Sequence, residues 1–137
     1  MSDIVATYRL TDDAIEKMIK AATAKAREIA SPSGVAVVDA GGILRSWVLM
    51  DGATPLAFEA VYKKARTAVF TGVASGGVPL DIAARLSAVM TEFANLPGGF
   101  PIMKDGRAIG AIGAGGGTHE ADAAIAGAAL AAIDLSS

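Results

Sequence analysis

Apolar residues recur along this chain at two spacings, and the switches between them lay out its elements. Ile15, Met18, Ile19, Ala22, Ala26 and Ile29 stand three or four apart, which predicts a helix with one buried stripe. Thr11 offers an N-cap hydroxyl, Asp12 and Asp13 suit the positive end of the helix dipole, and Ser31-Pro32-Ser33-Gly34 stops the helix. Val35–Asp39 then reads as a strand, Ala40-Gly41-Gly42 as a turn and Ile43–Met50 as the returning strand of a hairpin. The first of these strands is apolar on both sides, which implies layers on both faces of the sheet.

Helical spacing returns after Asp51-Gly52. Pro55 suits a first turn, and Phe58, Val61, Ala65, Ala68 and Val69 share one face. A further helix is predicted from near Pro79, with Ile82, Leu86, Val89, Met90 and Phe93 at helical intervals and Asn95–Gly99 closing it. Phe100–Lys104 and Arg107–Gly113 flank Asp105-Gly106, a strong hairpin signal. A last helix runs from Thr118 to about Ile133. The order is helix, hairpin, two helices, hairpin, helix, which argues for an antiparallel sheet between helical layers in one domain, residues 1–137.

Composition sharpens this picture. The 137 residues are 53% hydrophobic but only 5% aromatic, with 16 glycines, so close approach of small residues must do much of the packing. Such apolar content with few charges favours association with copies of itself. A net charge of −2 without a basic run excludes nucleic acid as a default partner. The absence of cysteine removes thiolate and disulfide chemistry and fits the cytoplasm. Neither a signal sequence nor an apolar run long enough to span a bilayer is present, so no membrane partner is expected. Metal-site spacing is absent.

The run Gly113 to Asp122 concentrates the candidate chemistry. A strand enters closely spaced glycines, and a helix opens at Thr118. Gly115, Gly116, Gly117 and Thr118 could direct backbone N–H groups at a ligand. The spacing fails the dinucleotide fingerprint, because Thr118 stands where glycine is required, and no Walker loop follows. His119 is the only histidine, with Glu120 and Asp122 beside it; these three are the candidate proton-transfer groups. Asp51 ends a strand where a carboxylate can face a cleft, and Lys64 could hold an anion.

In combination, Val37-Val38-Asp39-Ala40-Gly41-Gly42, Met50-Asp51-Gly52-Ala53, Lys64–Ala68, Pro97–Pro101, Ile109–Gly116 and Glu120-Ala121-Asp122 resemble the GlcG/HbpS-like family, which includes the C-terminal domain of PduO-type proteins. The resemblance runs from about Leu10 to Ile133. It implies a three-layer α/β/α domain with a five-stranded antiparallel sheet, similar to the profilin-like fold, and homo-oligomers. It also implies haem as a candidate cofactor, since some members bind it; the residues themselves place that or a related small molecule beside the Gly115–Gly117 loop, with the single histidine, His119, as its ligand. A second expectation from another class is an isomerase, lyase or hydrolase acting on a small carboxylate. There the glycine-loop amides steady an oxyanion while His119, Glu120 or Asp122 moves the proton.

Overall fold

The computed structural model describes residues 1–136. Helix α1 (Asp12–Glu28) is followed by strands β1 (Gly34–Asp39) and β2 (Leu44–Leu49), helices α2 (Pro55–Thr71) and α3 (Leu80–Leu86), strands β3 (Gly99–Lys104) and β4 (Arg107–Gly115), and helix α4 (His119–Ala131). The sheet is antiparallel throughout, in the order β2-β1-β4-β3. Helix α2 covers one face; α1 and α4 pack together on the other.

Local chemistry places the boundaries. The Thr11 hydroxyl accepts from the Ala14 N–H at 3.1 Å, as a capping residue should. Helix α1 ends in a Schellman turn: the Ser31 N–H donates to the Ala26 carbonyl at 2.8 Å and the Ala30 N–H to that of Arg27 at 3.1 Å. That turn holds Ala30 at φ 52°, in the left-handed region that disfavours a side chain. Ala30→Gly is therefore expected to raise stability by about 0.5–1 kcal/mol, read as a higher denaturant midpoint at unchanged slope. Asp105 and Gly106 both take positive φ, the geometry of the tight hairpin their sequence predicts.

The two cores differ in grain. Met18, Val35, Val37, Ile112 and Ile125 fill the α1/α4 side. The α2 side is built from smaller groups, Val38, Ala65, Ala68, Val69 and Ala111. Ala36, Gly113 and Gly99 lie in one row across three strands. Helix α2 presses its backbone onto that row: a Cβ added to Gly113 would meet the Val61 carbonyl oxygen, and one at Gly99 that of Lys64. Stacking of Trp47 on Phe58, with ring centroids 3.5 Å apart, carries the same layer over β2.

Two expectations need correction. The sheet has four strands, not five, among the described residues. The two hairpins supply all four, and residues 4–11 carry no ladder. The helix expected from Pro79 to Phe93 stops at Leu86. Its apolar stripe is covered only in part: Leu86, Met90 and Phe93 are half-buried, but Ile82 is 45% and Val89 79% exposed. A helix of this length with only partial tertiary cover does not propagate.

Candidate functional site

Antiparallel pairing brings the predicted residues to one end of the sheet. Gly34, at the start of β1, lies opposite both Leu49 at the end of β2 and Gly115 at the end of β4. Gly99, at the start of β3, lies opposite Gly113. Asp51, the glycine loop and the first turn of α4 all follow from these strand ends.

The centre of this corner is a buried ion pair. Lys64 reaches from α2 past the end of β4, and its Nζ donates to Asp122 Oδ2 of α4 at 2.9 Å and to the Ala114 carbonyl at 3.0 Å. Lys64 is 3% and Asp122 2% exposed. The Gly117 N–H donates to Asp122 Oδ1 at 3.1 Å. A Cβ at Gly115 would stand 3.2 Å from the ammonium, and one at Gly98 3.1 Å, so glycine at both positions leaves the charge its space. Gly116, at φ 116°, packs under the Pro32 carbonyl and Ala57. The Thr118 hydroxyl caps α4 by accepting from the Ala121 N–H at 3.1 Å.

Lys64, Gly115, Gly117, Thr118 and Asp122 thus come together, but around each other. The anion held by the Gly117 amide is the protein's own carboxylate. A charge pair this deep is tolerated because both ions find further hydrogen bonds, and it ties the α2 layer to the α4 layer across the end of the sheet. His119 and Glu120 are exposed on the first turn of α4 and make no side-chain hydrogen bond among the described residues. Asp51 is exposed and is not among the partners of Lys64.

Open space lies to one side of this tie. Helices α1 and α4 lie chiefly against β1, β4 and β3, which leaves the α1 side of β2 largely uncovered. Two hollows of about 520 Å³ each follow the groove between α1 and β2, and both are lined by Thr23. The first is floored by Ala26, Val48 and Met50 and rimmed by Arg27 and Asp51. The second runs past Ile15, Ile19, Lys20 and Ser46, with Asp13, Glu16 and Lys17 around it. Volumes of this size suit small-molecule sites. Sequence reasoning gave Thr23, Arg27 and Val48 no role. The available signal was the period-two series Ser46, Val48, Met50 beside the α1 series Glu16, Lys20, Thr23, Arg27.

An α/β/α sandwich with a four-stranded antiparallel sheet, its outer layers joined by a buried lysine–aspartate tie, defines the structural class. The family described as haem degrading protein HbpS-like matches residues 10–131. The chain belongs to that family. It is 33% identical over 135 residues to an uncharacterized 15.0 kDa protein of Citrobacter freundii from the dhaT-dhaS intergenic region, covering 94% of each chain. Among solved structures it resembles a PduOC:heme complex, with a TM-score of 0.85 and 29% identity over 94% of this chain and 98% of that one. It also resembles HbpS, with a TM-score of 0.84 and 28% identity over 96% and 95%. No described helix is long and apolar enough to cross a membrane.

Proposed function

We propose that this protein binds a haem-type tetrapyrrole in the groove between α1 and β2. The observation that carries the reading is the pair of open hollows that share Thr23, where apolar side chains stand beside Lys17, Lys20 and Arg27 of α1, with Asp13, Glu16 and Asp51 among the lining residues. The likeness to a relative solved with haem supports it. Val48, Met50 and Ile19 would hold the ring, while Lys20 and Arg27 would face its carboxylates. Of the side chains lining these hollows, only the Met50 thioether belongs to the usual haem-iron ligands. The residues therefore fit the macrocycle and its carboxylates better than the metal. A bound haem supplies its own redox chemistry; the chain's part is to bind, orient and shield it.

Haemin titrated into the purified protein is expected to shift its Soret band saturably at one site per chain. A shift that never saturates would remove the reading. The carboxylate-enzyme alternative gains no specific observation, since the Gly117 amide and Asp122 satisfy each other. Self-association belongs to the same proposal. It is supported by the exposed Leu49, Leu56 and Phe58 along the β2–α2 side, and light scattering on the titrated samples reads it.

A further inference from the structure

We infer that this groove recognises the tetrapyrrole by its ring and carboxylates and not by its iron, so that it takes the metal-free porphyrin as readily as haem. The inference rests on the tetrapyrrole reading above. Iron-directed binding needs a histidine, thiolate, tyrosinate or well-presented thioether, and the groove is poor in all of these. Cysteine is absent from the chain, and the single histidine is His119. That residue is exposed on the first turn of α4 and lines neither hollow. Tyr8 lines a different hollow, with Leu10 and Lys104, and the Tyr62 hydroxyl accepts from Arg66 in the α2 layer. Met50 is half-buried and packs against the larger core, which holds its side chain for structural work.

What the groove does offer suits a flat apolar dicarboxylate. Lys20 and Arg27 lie two turns apart on α1, a rise of about 10.5 Å, and neither belongs to an ion pair among the described residues. The acidic side chains flank the two cations: Asp13 and Glu16 line the Lys20 hollow on its N-terminal side, and Asp51 lines the Arg27 hollow. Thr23, at the junction, gives its hydroxyl proton to the carbonyls of Ile19 and Lys20. That leaves an oxygen acceptor, not an iron ligand, at the middle of the groove. Burial of apolar ring surface and two cation–carboxylate contacts are then the sources of affinity. Neither depends on the metal.

Metal-free protoporphyrin IX, followed by its fluorescence, and haemin, followed by its Soret band, are titrated separately into the full chain. Both are expected to saturate, with dissociation constants within about tenfold of each other. The Lys20→Glu/Arg27→Glu double variant is expected to weaken both by about tenfold or more, and His119→Ala to leave the haemin band unmoved. Haemin bound more than about tenfold tighter than the metal-free ring, or a Soret band displaced in His119→Ala, overturns the inference and leaves haem binding standing. A charge-reversed variant that binds both rings as tightly as the parent chain also overturns it, because the carboxylates would then contribute nothing. Failure of both rings to saturate overturns the tetrapyrrole reading itself.

Discussion

Lys64→Ala is expected to cost about 3–5 kcal/mol, and Asp122→Ala about as much, because each leaves its partner charged, buried and unpaired. Lys64 and Asp122 are almost wholly screened from water, so no solvent replaces the missing ion. The loss spreads beyond the pair. Without Asp122 the Gly117 N–H loses its protein acceptor, and without Lys64 the Ala114 carbonyl loses the ammonium donor. For a domain of this size the melting midpoint is expected to fall by about 10–20 °C. The double variant Lys64→Met/Asp122→Leu separates the cause: replacing both ions by apolar side chains should cost less than either single change. Thermal unfolding of the three variants decides it. Single variants within about 1 kcal/mol of the parent would show that the pair carries no such burden.

The second large effect is expected at Gly113 and Gly99. A methyl group at either position runs into α2 backbone, the Val61 carbonyl in one case and the Lys64 carbonyl in the other. Backbone cannot turn to another rotamer, so the helix must lift from the sheet. Both glycines lie in the row where α2 is seated. Gly113→Ala and Gly99→Ala are each expected to cost about 3 kcal/mol, the upper end for overpacking. Gly127→Ala is the control. Its nearest neighbour across the gap is Phe100 at 3.7 Å, an ordinary contact, and alanine is the better helix former by about 1 kcal/mol. Urea unfolding of the three should rank Gly127→Ala at or above the parent and the strand variants far below it. If Gly113→Ala matched the parent, the close seating of α2 would be refuted.

These two predictions turn on residues whose types were visible in the sequence but whose purposes were not. The glycines between 113 and 117 stood out, and so did the acidic turn after them. A strand–glycine–helix junction reads the same whether its amides meet a ligand or a side chain four or five residues on. In the structure Gly117 meets Asp122. Lys64 gave no local sign either, since a lysine in mid-helix ordinarily faces water. Its partner stands 58 residues away, a separation that no periodicity reaches. The failed length of α3 is the same lesson in reverse. Its helical spacing was sound, but Ile82 and Val89 are left exposed, and spacing says nothing about cover.

Local patterning was enough for seven of the eight elements, for the antiparallel hairpins and for helices on both faces. Period, caps and turn residues act within a few positions of each other, and here they agree. The family, too, was legible, because its motifs keep their order along the chain. Only the folded chain decided that α2 rides on bare glycine backbone, that the candidate anion loop is filled by Asp122, and that open space lies along α1 and β2. Each of these depends on which distant segments share a volume. That is set by the packing of whole layers against one another, which is a property of the assembled sheet and helices and of no single stretch of sequence.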